Sequence, residues 1–267
     1  MLKDITIGQY FPGNSIVHRL DPRFKIVITM LFVVMIFSAD TMLSMSAGIV
    51  FMLLSYALTG LSPKLMYKSI KPVIPVLLVT AVLNVFFFDG EEIFSLWIIK
   101  ITDEGVKNAV FMLLRVVSLI VGSSVLTYTT SPIELTNAIE KLLSPLKVFK
   151  FPVHELAMMM TIALRFIPTL IEETDKIISA QKARGADFEN GSLKERAGAI
   201  VPVLVPLFIS SFRRAEELAL AMECRCYRGG EGRTRMKQLK IRPADIAALA
   251  VTLVFLVTVF VIDYSMK

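Results

Sequence analysis

"LAMMMTIALRFIPTLIEETDKIISAQKARG", residues 156–185, changes character halfway along. The first half, as far as Leu170, is apolar and rich in methionine; the second carries Glu172, Glu173, Asp175, Lys176 and Lys182 before it ends on Ala183-Arg184-Gly185. The spacing predicts one long helix over residues 153–184, with Pro168 as a kink. A turn, "ADFENGS", follows it. A second long helix is predicted from about Leu193, passing through "AIVPVLVPLFISSF" and then "RRAEELALAMECRC".

The rest of the chain explains where such helices belong. Of 267 residues, 55% are hydrophobic and only 19% charged, and the mean hydropathy is +0.66. Several apolar runs approach the roughly 20 residues that a bilayer-crossing helix needs. Five spans are predicted, over residues 24–39, 41–60, 73–88, 106–127 and 244–262, with Asp40 at the tight turn between the first two. The fold class is therefore an all-α membrane protein with a helical region inserted before its last span. Three segments follow: residues 1–127 with four spans, a helical region over 128–242, and a closing span over 243–267. The first span is short, and Lys25 is expected to snorkel at its edge. Residues 1–21 have no apolar core of a secretory signal, which predicts a cytoplasmic N-terminus.

Charge sets the expected orientation. Arg19, Arg23 and Lys25 precede span one, and Lys64, Lys68 and Lys71 separate spans two and three. Arg225, Arg228, Arg233, Arg235, Lys237, Lys240 and Arg242 precede span five. All three groups fall on one side, which the positive-inside rule makes cytoplasmic. The net charge of +6 is then a matter of membrane topology, and no nucleic-acid partner is implied.

The two long helices resemble each other. A shift of 41 positions lays Phe166 on Leu207, Ile177 on Leu218, Ala180 on Ala221 and Arg184 on Arg225. Each copy ends on an arginine between two small residues, Ala183-Arg184-Gly185 and Cys224-Arg225-Cys226. Two readings stand for these arginines. A cation in a last helical turn offsets the macrodipole, and Gly185 suits a left-handed cap. Alternatively, two guanidinium groups at matched helix tips on the cytoplasmic side each offer a carboxylate on a partner bidentate hydrogen bonds. The cysteine pair does not suggest a metal, because a structural zinc needs four ligands and His18 and His154 are not spaced as a ligand pair. A cytoplasmic position disfavours a stable disulfide.

With those motifs in view, the chain resembles the transmembrane (T) component of energy-coupling factor transporters. "GQYFPGNSIVHRLDPRFK" is similar to that family's opening motif, "ALRFIPTL" and "AQKARGADF" to its middle section, and "AMECRCYRGGEGRT" to its second arginine triad. Cys226 stands where the family commonly has glycine. Since a side chain resists the left-handed conformation, the second cap is expected to differ from the first.

The resemblance implies a scaffold in a bacterial plasma membrane that joins two cytoplasmic ABC-type ATPases to an interchangeable membrane-embedded substrate-capture (S) component, for import of vitamins or transition-metal ions. It implies that Ala183, Arg184, Gly185, Cys224, Arg225 and Cys226 contact the ATPases. It also implies that hydrolysis belongs to those partners: the chain has no phosphate-cradling Gly-x-x-x-x-Gly-Lys-Ser/Thr loop, and neither catalytic residues nor a cofactor are expected in it. A self-contained secondary transporter or channel is the rival reading, and would place its repeats and broken helices in the membrane halves. A membrane anchor without transport is a further rival.

Other residues leave alternatives open. The Met-rich apolar stretches either lie near the membrane boundary to accept different partners or pack against the spans. Arg115, inside span four, either lines a substrate or ion pathway or, more simply, pairs with a carboxylate or a backbone carbonyl or lies closer to the interface. Asn84 is expected to hydrogen-bond across helices. Asp21-Pro22-Arg23 reads as the start of span one, with His18 supporting that turn.

Overall fold

A proline after an aspartate, Asp21-Pro22, opens the first long helix, and the same logic of caps and breakers delimits the rest. The structure, a computed structural model, describes residues 10–87, 92–96, 99–149, 151–188, 192–229 and 239–266. Along these run α1 (Ile16–Arg19), α2 (Pro22–Ser38), α3 (Met42–Thr59), α4 (Pro63–Ile70), α5 (Ile74–Phe87), α6 (Asp103–Thr129), α7 (Pro132–Leu142), α8 (Val153–Ala183), α9 (Leu193–Cys224) and α10 (Pro243–Met266). A short antiparallel hairpin, β1 (Glu92–Leu96) and β2 (Ile99–Thr102), lies between α5 and α6. It is the one departure from an all-α chain among the described residues. Arg233, Arg235 and Lys237 of the third basic group lie outside the described residues.

The chain divides into two units, one formed by Gly8–Ala138 with Gln238–Lys267 and the other by Ile139–Lys237 with Met1–Ile7. The first unit is a bundle of α2, α3, α6 and α10, flanked by α4 and α5. Its core is Phe32, Met35, Ile36, Met45, Phe51, Met52, Tyr56, Val121 and Val259. Phe32 stacks on Phe51 and Phe51 meets Phe255, with centroids 5.9 and 5.3 Å apart. Close approach there requires small residues. A Cβ on Gly122 would fall 2.1 Å from Phe32 Cε1, and one on Gly48 would fall 2.6 Å from Ile36 Cδ1.

Two aspartates of α10 tie it alongside α2, in the same direction, at both ends. The Asp245 carboxylate accepts from Asp21 N and Arg242 N, both at 2.7 Å. Twenty ångströms and more along, the spacing of a helix of this length, Asp263 accepts from Asp40 N, Thr41 N and Thr41 Oγ1 at 3.2, 3.2 and 2.9 Å. Both carboxylates thus satisfy backbone N–H groups that helix starts leave without intrahelical partners. Asp21 itself caps α2 through Arg23 N at 2.9 Å and takes the Arg23 guanidinium at 3.1 and 2.8 Å. Burial pushes the Asp21 carboxyl up, but the hydrogen bonds and charge of Arg23 outweigh it and hold it below the ordinary aspartate value.

Lys25 does not snorkel. It is buried, and its Nζ donates to His18 O at 3.2 Å, Thr129 O at 2.9 Å and Thr130 Oγ1 at 3.3 Å. The C-terminal carbonyls of α6 need donors and a positive charge suits that end of the dipole, so the ammonium turns inward. His18 supports the preceding turn as expected. Its Nε2 donates to Phe11 O at 3.1 Å, and its Nδ1 lies within hydrogen-bond distance of Ser15 Oγ at 2.6 Å. Arg115 takes the simpler of its two readings: Nη2 donates to Ala39 O at 2.5 Å, at the C-terminal end of α2, and the guanidinium lies 4.7 Å from the Phe111 ring centroid. Asn84 does not cross-link helices, because its Nδ2 donates to Thr80 O one turn back in α5 at 2.8 Å.

Among the described residues six helices are long and apolar enough to cross a membrane, by length and composition: Met42–Thr59, Pro63–Val85, Asp103–Thr129, Val153–Ala183, Gly198–Cys224 and Pro243–Met266. The count differs from the five expected because α8 and α9 are long and apolar enough, while α2, with 17 residues, is shorter than the others.

Candidate functional site

Helix α8 runs unbroken through Pro168, and α9 runs unbroken through Pro202 and Pro206. Each stops on its arginine, and the backbone shows why. Beyond Arg184, Gly185 takes a left-handed φ of 90°. Gly185 N then donates to Lys182 O at 3.0 Å, and Ala186 N donates to Gln181 O at 3.0 Å. These are the two reverse bonds of a Schellman cap, which satisfies carbonyls that the helix end would leave bare.

The second helix ends the same way. Cys226 N donates to Glu223 O at 2.8 Å and Tyr227 N to Met222 O at 3.0 Å. Cys226 carries a φ of 56°, the one left-handed residue other than glycine among those described. The expected difference between the caps is therefore absent. The reverse bonds and the repeat of the helix end hold a cysteine in a conformation that costs roughly 1–2 kcal/mol for a residue with a Cβ.

In both copies the arginine occupies the last half-helical position, and every member of the two triads is exposed: Ala183, Arg184 and Gly185, and Cys224, Arg225 and Cys226. Both thiols are free. No group of three or more potential metal ligands occurs among the described residues.

The two helices lie antiparallel. Gln181 Nε2 of α8 donates to Pro202 O of α9 at 3.4 Å, and farther back on α8 the Glu173 carboxylate accepts from Ser210 Oγ and, at 2.5 Å, from Arg214 Nη2 farther along α9. The triads consequently sit at opposite ends of the pair, with about 34 Å of helix between Pro202, beside the end of α8, and Arg225. The apolar halves are left bare. Only 6% of the apolar window of α8, and 6% of that of α9, is buried within the chain. Met159, Ile200, Val201, Phe208 and Phe212 are all exposed. The end of α6 meets Lys25, and the start of α10 meets Asp21, so the chain leaves the bundle and returns to it at the same end.

Glu173 and its two donors escaped the sequence reading, since an acid aligned with a base looks like a mismatch between repeats. The signal available was the 41-residue offset itself, which lays Glu173 on Arg214.

Comparison with known proteins agrees with this architecture. A family model described as "CbiQ: Cobalt transport protein" matches residues 13–236. Proteins described as energy-coupling factor transporter transmembrane protein EcfT match over nearly their whole length. The one from Thermosediminibacter oceani is 55% identical over 251 residues, 94% of this chain and 95% of its own. That from Ruminiclostridium cellulolyticum is 50% identical over 264 residues, 99% of each chain. That from Bacillus subtilis is 46% identical over 261 residues, 97% of this chain and 98% of its own. Matches of that extent, over a bundle of apolar helices with a capped long pair, make this chain a member of the CbiQ family, a multi-pass transmembrane component of an energy-coupling factor transporter in the cell membrane.

Proposed function

We propose that the chain couples ATP hydrolysis by two ABC-type ATPase subunits to a membrane-embedded S component, with Arg184 and Arg225 as the points at which the ATPases are engaged. The observation that carries this reading is the duplicated cap: two helix ends with the same reverse bonds, each presenting an exposed arginine beside residues small enough to let a partner approach. A cap that only terminated a helix would have no need of the same exposed guanidinium twice. An arginine held at a fixed backbone position offers a planar fork for a carboxylate, which an acidic groove on an ATPase would supply.

Antiparallel helices present their tips to one side of a membrane only if the pair lies along the membrane. Standing upright, they would put Arg184 and Arg225 on opposite faces. The lying arrangement suits the charged second half of each helix. It also turns the bare apolar halves toward lipid and toward the S component, for which adaptable methionines such as Met158 to Met160 are suited. Vitamins or transition-metal ions would be the cargo, held by the S component.

The test uses the whole complex in proteoliposomes. Changing Arg184→Ala and Arg225→Ala together should abolish ATP-driven uptake and release the ATPases, because losing one member of a desolvated charge pair costs roughly 2–5 kcal/mol at each site. Retained assembly and full uptake in the double variant would refute the assignment. Labelling Ala183→Cys and, separately, native Cys224 with an impermeant thiol reagent should show both tips on the cytoplasmic face.

A further inference from the structure

Glu173 and Arg214 are more than a contact between two helices. They are the same position in the two copies of the repeat, 41 residues apart, as are Arg184 and Arg225. Equivalent positions of two antiparallel copies touch only where a local two-fold axis passes between them. The salt bridge therefore marks that axis. From it each arm extends the same eleven residues to its arginine, about 16 Å of helix on either side. The helix ends agree with that symmetry, since the bounds Ala183 and Cys224 and the paired reverse bonds obey the same offset.

We propose that Glu173 and Arg214 form the pivot of a two-armed lever, the residues that fix where α8 crosses α9 and hence how far apart the two arginine tips stand. They are positioning residues: neither reaches a tip, and both act through the helices that do. The chemistry fits a pivot. The Glu173 carboxylate takes one neutral donor, Ser210 Oγ, and one charged donor, Arg214 Nη2, from successive turns of one α9 face. It is thus held against sliding along α9 in either direction. Apolar contacts between helices, being non-directional, leave the register undefined. A single charged contact that specifies register is a known use of polar groups between helices. The side chains remain 34% and 23% exposed, so the bridge can open when the arms are driven. The functional half of this proposal rests on the reading of the tips as docking points for two related motor subunits, which a local two-fold axis would match.

The decisive measurement separates the two. Spin labels placed on Ala183→Cys and native Cys224, in a Cys226→Gly background of the full chain, report the tip-to-tip distance by pulsed dipolar spectroscopy. Glu173→Ala should broaden or shift that distance distribution, and so should Arg214→Ala. The exchange Glu173→Arg with Arg214→Glu, which keeps the pair on the axis with its charges reversed, should restore the distribution. In the reconstituted complex, without labels, either single change should lower substrate taken up per ATP hydrolysed about fivefold or more, and the exchange should recover it to within twofold. Unchanged tip distances in a folded Glu173→Ala protein would overturn the pivot, whatever the tips contact. A failure of the exchange to restore the distance would do the same. Altered distances together with undiminished uptake per ATP would leave the pivot standing as geometry and overturn its role in coupling, and with it the docking of motors at the tips.

Discussion

The bundle and the long helix pair are built from the same apolar alphabet, but they are secured differently. In α3, 39% of the apolar stretch is buried inside the chain and in α6 and α10 17%, against 6% in α8, in α9 and in Pro63–Val85 on the flank of the bundle. The bundle closes on itself through Phe32, Phe51 and Val121, and its α10 is fastened by buried carboxylates at both ends. Among the described residues the pair is joined by the partly exposed Glu173–Arg214 ion pair, with Ser210 on the same carboxylate and Gln181 on Pro202 O, and it leaves its apolar flanks uncovered. Surface of that kind in a membrane protein faces lipid or a partner. The bundle is thus a frame whose stability is internal, while the pair depends for its environment on what it touches.

The largest way to break this comparison is at Asp245. Its carboxylate is fully buried and accepts two backbone N–H bonds, from Asp21 and Arg242. Asp245→Ala leaves both donors unsatisfied and should destabilise the bundle by about 3 kcal/mol, read as a lower thermal midpoint in detergent. Removing Glu173 takes away a pair exposed enough that its contribution to stability is about 1 kcal/mol or less. If the two changes cost the same, the contrast between a self-secured frame and a loosely clasped pair is wrong.

A glycine-to-alanine change should separate the regions by sign. Gly122 faces the Phe32 ring so closely that a methyl group has no room, and Gly122→Ala should cost about 2 kcal/mol through overpacking. Gly198, inside α9, has nothing within 4 Å of where a Cβ would stand. There the substitution should stabilise the isolated chain by about 0.8 kcal/mol, the difference in helix propensity. The same change in the assembled transporter tests whether a partner closes over that face, since assembly would then weaken as the chain itself gained stability.

Much of this was legible from residues alone. The ends of α8 and α9, the start of α2 at Asp21-Pro22 and the matched arginine triads follow from local chemistry: prolines, caps and an apolar-to-charged switch act within a few residues. What local reasoning missed are groups whose partners are remote in sequence. Lys25 looked like an ammonium at a membrane edge because nothing near it in sequence announces that the end of α6 arrives there. Asp245 and Asp263 carry no local signal of their role, and only packing shows that each serves another helix's N–H groups. Asn84 erred in the opposite direction, finding a carbonyl one turn away in place of the neighbouring helix expected for it. The hairpin at residues 92–102 carried no alternation strong enough to separate it from a mixed loop.

The most local effect concerns the two caps. They share their hydrogen bonds and differ in the residue forced into the left-handed region, Gly185 at φ 90° in one and Cys226 at φ 56° in the other. Glycine bears that conformation without steric cost, whereas cysteine's Cβ crowds its own carbonyl. Cys226→Gly should therefore strengthen the second cap by about 1 kcal/mol and Gly185→Ala should weaken the first by a similar amount. Hydrogen exchange at Tyr227 N and Ala186 N reads each cap directly, because those amides make the outer reverse bonds. Slower exchange at Tyr227 in Cys226→Gly and faster exchange at Ala186 in Gly185→Ala are the expected results. If Cys226→Gly left exchange at Tyr227 unchanged, the cysteine would be bearing no strain, and the asymmetry between the arms would have to come from its thiol and not from its backbone.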